Sequence, residues 1–259
     1  MTWVETETRN FAARHEEDDT EDVAQVLEML EGTREQIAPA FPRMPGATNV
    51  VVHASDIALR AAQPMVPIMR RVTSPAARRY IVGWTERDTL HVLSPRLLEA
   101  RTTSQQDSRQ VGLLAPAALY CQIIVGYNSE LLPPPFSART LRNVLRWSWL
   151  YFGAGQYLSG QTQHIRSALA RRLKDGSPPS FPPSRRDAPL LGGTLVDLIG
   201  FELGDEAVVR LVTDLPETGP RSHLLELFDG LSHAEIEAGW RRHLERMASA
   251  DAGSGSRRR

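Results

Sequence analysis

Residues 149–160 read WLYFGAGQYLSG, from Trp149 to Gly160, and their reading decides how the rest of the chain is understood. Trp149 and Leu150 open the stretch as apolar residues, and Tyr157 and Leu158 return to a core. Between them stand Gly153 and Gly155, which lack a side chain and so let another backbone approach closely. The stretch therefore reads as a helix pressed against its neighbours.

Outward from it, helical patterns dominate. Val111 to Tyr127 is an apolar run suited to a buried helix, Pro133 to Pro135 break the chain, and Thr140 to Leu158 resumes as helix. Thr162 to Lys174 carries Ile165, Leu169 and Leu173 on one face. After a proline-rich loop at 178–183, further helices are predicted over Ala188 to Leu203, Asp205 to Asp214, Arg221 to Phe228, and Ser232 to Met247. Asp187 is placed to cap the first of these, and Ser232 with Glu235 forms a capping-box pattern on the last.

The N-terminal part is different. Val4 to Arg14 alternates loosely and reads as a strand, and Asp18-Asp19-Thr20 then offers caps for an amphipathic helix ending near Pro39. Asn49 to His53 is a β-branched run, Ser55 caps a short helix to Ala62, and Arg79 to Trp84 and Leu90 to Leu93 read as two more strands. Sheet first and helices afterwards predict an α+β fold in one domain over 1–249, with a small mixed sheet within about 1–107 and a helical part over about 108–249. The Gly/Ser/Arg-rich end, 250–259, is expected to be a disordered tail.

Composition excludes little but directs some expectations. A net charge of −1 gives no global argument for nucleic acid or a membrane, so neither is expected as a partner. The acidic segment Glu16 to Glu35 and the basic segment Arg166 to Arg186 read as solvated faces. Cys121 is the single cysteine, which rules out an internal disulfide framework. No secretory pattern opens the sequence and no apolar run is long enough to span a bilayer, so a cytoplasmic location is expected. Lys174 is the sole lysine among many arginines, the habit of a GC-rich bacterial genome.

The stretch also resembles the second metal motif of the gluzincin (peptidase MA-like) metallopeptidases, W-L-x-E-G-x-A-E-Y-L-S-G. Trp149, Leu150, Gly153, Tyr157, Leu158, Ser159 and Gly160 match it in place. The resemblance implies a zincin-like fold, with the N-terminal sheet preceding a first metal helix. It also implies where ligands should stand, and there this chain departs from the family. Phe152 occupies the position of the zinc-ligating Glu. The HExxH slot falls on Pro116-Ala117-Ala118-Leu119-Tyr120, with Pro116 and Tyr120 in place of the two His and Ala117 in place of the base. A shift by one residue, to Ala117 through Cys121, restores nothing, and the position of the oxyanion-steadying side chain falls near Leu190 and Leu191.

A zinc peptidase needs two His one turn apart, a Glu base and a third ligand from another helix. None of His15, His53, His91, His164, His223, His233 and His243 makes such a pair. The resemblance thus implies a pseudo-metallopeptidase without metal or other cofactor, binding or regulating a protein or peptide partner. A remnant cleft is expected around Gln156, Tyr157 and His164, within a polar cluster that also includes Gln161, Gln163 and Arg166; the plainer reading of the same cluster is a solvated helix start. Two alternatives stay open. One is a hydrolase with a non-standard metal site or a metal-free site near His164, drawing on Asp187, Glu130 or a Cys121 nucleophile. The other is a structural protein using the last helix, with Leu231, Ile236 and Trp240, as an interface.

Overall fold

The single strand expected over Val4 to Arg14 is a hairpin. The computed structural model describes residues 2–102, 106–132, 138–175 and 177–249, and in it β1 (Trp3–Glu7) pairs antiparallel with β2 (Phe11–Glu16). The Thr8 N–H closes the turn onto the Phe11 carbonyl at 2.8 Å. Glu31 fastens it: its carboxylate accepts from the Thr8 hydroxyl, the Asn10 N–H and the Asn10 side-chain amide, each at 2.7 Å. The less exposed positions change from Val4 and Thr6 in β1 to Phe11, Ala13 and His15 in β2, so the reversal shows as a change of phase that reading one loose strand passes over.

α1 (Thr20–Ile37) follows, burying Val23, Leu27, Leu30 and Ile37 along one stripe. Asp19 stands at its N-cap without capping it. Its carboxylate accepts instead from Arg96 at 2.8 Å, because a cationic donor binds a buried carboxylate more strongly than a neutral N–H does. β3 (Thr48–His53) then runs parallel to β2.

Ser55 caps α2 (Asp56–Ala62) as expected, accepting from the Ala58 N–H at 3.1 Å. Two helices that the sequence reading left out come next, α3 (Met65–Val72) and α4 (Pro75–Arg78). Tyr80 and Ile81 donate back to the carbonyls of Ala77 and Arg78. The first half of the strand expected over Arg79 to Trp84 is thus the exit of α4, and only β4 (Gly83–Thr85) extends. β5 (Thr89–Leu93) pairs with β4 antiparallel and with β3 parallel, giving the order β1-β2-β3-β5-β4.

α5 (Pro95–Ala100) starts with a proline, whose missing N–H is harmless in the first turn. The expected helix over Val111 to Tyr127 divides at Leu114 into α6 (Gln106–Leu113) and α7 (Ala115–Asn128), bent by 49°. Pro116 near the start of α7 lacks an amide hydrogen and crowds the preceding turn, so the helix restarts there. Among the described residues no single helix is long and apolar enough to cross a membrane; α6 and α7 meet that requirement only together. α8 (Ala138–Arg146) and α9 (Ser148–Leu158) are likewise separated at Trp147. Gly160, at φ 74°, turns the chain into a 3-10 segment, Gln161–His164, before α10 (Arg166–Lys174).

α11 (Ala188–Leu203), α12 (Asp205–Thr213), α13 (Pro220–Leu227) and α14 (His233–Ser249) complete the chain close to their expected bounds. Asp187 does not cap α11 through its side chain. Its carboxylate accepts from Arg172 of α10 at 3.1 and 2.7 Å and from the Ser74 hydroxyl at 2.8 Å.

The architecture is α+β: a five-stranded mixed sheet followed by a helix-rich half. Its buried apolar residues form one cluster from Phe11 to Leu244. α7 lies at the centre. The Tyr120 ring meets Phe11 of β2 edge-on at 4.9 Å, and Leu119 packs over Gly83 of β4. The expected break at Pro133 to Pro135 and the expected tail at 250–259 fall outside the described residues.

Candidate functional site

The stretch Trp149 to Gly160 forms α9 and its exit, and it packs backbone to backbone. A Cβ on Gly153 would lie 2.4 Å from the carbonyl carbon of Gly192 in α11, and one on Gly192 would lie 2.4 Å from the Trp149 oxygen. On the side toward α7, a Cβ on Gly155 would lie 2.6 Å from the Ala118 oxygen. Only glycine allows this approach, so α9 is held tightly between α7 and α11.

Gln156 locks the seam. Its side-chain N–H donates to the Pro189 carbonyl at 2.5 Å, and its side-chain oxygen accepts from the Gly193 N–H at 2.9 Å. Pro189 and Gly193 are the acceptor and donor of one i, i−4 step of α11. One amide side chain therefore joins both ends of that step, a task that requires a donor and an acceptor together. One residue further on, the Thr194 hydroxyl accepts from the Trp240 indole at 2.9 Å and ties in α14.

The positions where the resemblance puts metal chemistry are all buried. Pro116, Ala117 and Tyr120 lie within α7, Phe152 within α9, and Leu190 and Leu191 within α11. The Tyr120 hydroxyl accepts from Arg34 of α1 at 2.8 Å, whereas Gly155 of α9 faces Ala118 and Gln122 of α7. The Phe152 ring packs edge-on against Tyr151 at 5.4 Å. Among the described residues, no three His, Cys, Asp or Glu side chains group closely enough to hold a metal ion.

The three remnant-cleft residues point to different places. Gln156 reaches α11, as described. The Tyr157 hydroxyl donates to Asp205 of α12 at 2.7 Å and borders a cavity of about 440 Å³ that Asp197 and Phe41 also line. Burial, then the Asp205 and Asp197 carboxylates, pushes the Tyr157 phenol well up. His164 turns to the surface, 4.0 Å from Asp107 of α6. Gln161 is buried and donates to the Val111 carbonyl at 2.8 Å, so Gln156 and Gln161 join helices rather than forming a solvated helix start.

The other candidates are engaged elsewhere. Cys121 is wholly buried, which pushes its thiol far up and away from nucleophile chemistry. Asp187 is occupied by Arg172 and Ser74. Glu130 is exposed.

The sequence reading missed one pair. His53 Nε2 and His91 Nδ1 lie 3.0 Å apart with their rings stacked, and His91 Nε2 is 3.7 Å from Glu86, which accepts from Gln63 at 2.8 Å. The two imidazoles meet only because β3 and β5 run parallel in a register that sets Val51 beside His91 and His53 beside Leu93. No local spacing carries that signal. Burial, then the neighbouring His91, lowers the His53 pKa to about 4, and burial lowers that of His91 as well.

Fold and site together define an α+β protein with a glycine-packed, glutamine-locked helical seam. No family model, no curated protein and no solved structure matches the chain.

Proposed function

We propose that this chain is a catalytically inactive, zincin-like protein of the bacterial cytoplasm that binds or regulates a protein or peptide partner. The observation that carries the reading is Gln156. It stands at the second acid of the motif the stretch resembles, and its amide is used to lock α9 onto α11. The positions at which that motif holds an ion serve here as helix packing. Buried ligands without an ion would leave polar groups unpaired, at about 1–3 kcal/mol each, and apolar replacements avoid that cost.

The test is metal content. The purified chain is offered zinc, freed of excess and analysed by elemental mass spectrometry, with thermal unfolding recorded in parallel. The expected result is no stoichiometric zinc and an unchanged melting temperature. One zinc per chain, with a melting temperature that falls on chelation, would overturn the reading.

A further inference from the structure

A furrow runs along α14, between it and the end of α11. At one end it is a cavity of about 470 Å³ floored by Leu198, Phe228 and Ile236 and edged by the exposed Leu203 and Leu231. A second cavity of about 550 Å³ continues it toward Ser249, and the two share Glu202, Gly239 and Arg242. The length of α14 that borders it, from Glu235 to Ser249, is about 20 Å at the helical rise, which is long for a small molecule and suits several turns of helix.

Gly239 sharpens the reading. It lies in the middle of α14, where glycine weakens a helix. Gly153, Gly155, Gly192, Gly193 and Gly200 each have a neighbour that a Cβ would strike, but a Cβ on Gly239 would meet only the Arg242 guanidinium, at 3.9 Å. Gly32 of α1 is also unobstructed, on an exposed position. Gly239 instead lies where the two cavities meet, beside the apolar floor of the first, and its missing side chain leaves room for an incoming segment.

Charge selects the occupant. The exposed carboxylates of Glu202, Asp229, Glu235 and Glu245 border the furrow. Of these charges, Glu235 is engaged by Ser232 in the capping box and Arg246 is held over the Phe201 ring and against His243 at 3.0 Å, so Glu202, Asp229 and Glu245 stand against Arg242. An apolar floor in the first cavity, with more carboxylates than free cations along the furrow, complements an amphipathic helix with a basic outer face. We infer that the α11–α14 furrow is the docking site for a basic amphipathic helix of a partner protein, an inference that rests on the binding role proposed above.

The test uses the full chain and a fluorescein-labelled synthetic helix of about 14 residues, with leucines spaced i, i+3, i+4, i+7 and lysines elsewhere. A matched peptide carries glutamates for the lysines. Anisotropy should show saturable binding of the lysine peptide and binding of the glutamate peptide weaker by about tenfold or more. Gly239→Leu fills the furrow and should weaken the lysine peptide by a similar factor while the melting temperature holds or rises. Glu202→Lys should weaken it with the fold unchanged. Equal affinity for both peptides, no binding, or full binding by Gly239→Leu would each overturn the assignment and leave the metal-free reading standing. So would a dimeric mass in light scattering that Gly239→Leu abolishes, since a second copy would then fill the furrow. Zinc uptake would sink the non-catalytic reading by a separate measurement.

Discussion

At the scale of single residues, Gln156 shows how a side-chain choice is dictated by hydrogen-bond chemistry. Its amide donates to Pro189 and accepts from Gly193, both within the buried seam. A carboxylate of the same size could accept from Gly193 but would face the Pro189 carbonyl with no hydrogen. Gln156→Glu is expected to destabilise the chain at pH 7 by about 2–4 kcal/mol, the cost of burying an unpaired charge beside an acceptor. It should recover part of that loss near pH 5, where the protonated acid can donate again. Urea unfolding at the two pH values checks this; equal losses would show that the amide is not acting as a donor.

The His53 and His91 pair gives a second expectation at this scale. Both pKa values lie below the ordinary 6.5, that of His53 at about 4, so the fold favours the neutral rings. The stability they contribute is complete above the unfolded pKa near 6.5 and is lost as pH falls toward 4. Stability should drop by roughly 1–3 kcal/mol across that window, with the midpoint of urea unfolding as readout. His53→Gln should flatten the profile between pH 6.5 and 4; an unchanged slope would place the acid sensitivity elsewhere.

At the scale of elements, the seam is governed by backbone contact. Gly153→Ala puts a methyl group 2.4 Å from the Gly192 carbonyl carbon, and the backbones must part to admit it. A loss of about 3 kcal/mol or more is expected, read as a lower melting temperature. Gly160→Ala, which has open space but a positive φ of 74°, should lose only about 1 kcal/mol.

Much at this scale was legible from sequence. α11 keeps both bounds that its apolar run and flanking residues predict, and Ser232 and Glu235 form the capping box, with the Ser232 N–H and hydroxyl on the Glu235 carboxylate at 2.8 and 2.7 Å. The misses share a cause in tertiary partners. Asp19 and Asp187 look like caps because a side chain's local options can be read from sequence, whereas Arg96 and Arg172 reach them from 77 and 15 residues away. Of the site, the close approach at Gly153 and Gly155 could be inferred from glycine itself. The direction of the Gln156 amide and the meeting of His53 with His91 depend on helix docking and strand register, which no window of sequence contains.

At the scale of the whole molecule, a buried ion pair of the helical half is tied to the sheet-bearing part through Ser74. Asp187 precedes α11, Arg172 belongs to α10, and Ser74, which caps α4 in the sheet-bearing part, donates to the same carboxylate. Burial pushes the Asp187 carboxyl up, but the Arg172 and Ser74 hydrogen bonds together with Arg172's charge outweigh it and hold it below the usual carboxylate value. Its contribution is therefore present at neutral pH and is lost only as pH falls through that lowered value. Asp187→Ala leaves Arg172 buried without its partner and should cost about 3–5 kcal/mol. The double variant Asp187→Leu with Arg172→Met should recover most of this loss in urea unfolding. A double variant no more stable than the single one would mean that the pair shapes the junction in ways charge removal cannot mend.

The two outer strands of the sheet differ in how they meet other molecules. β4 offers three residues, all buried. β1 is longer and turns Glu5 and Glu7 outward, while Arg14 covers the ring of Trp3 at 5.1 Å. A second molecule adding its own β1 edge to edge would bring glutamates against glutamates, so the strand that could template aggregation carries its own repulsion. That protection rests on charge alone, so salt that screens the glutamates weakens it while leaving the ladder edge of β1 just as open.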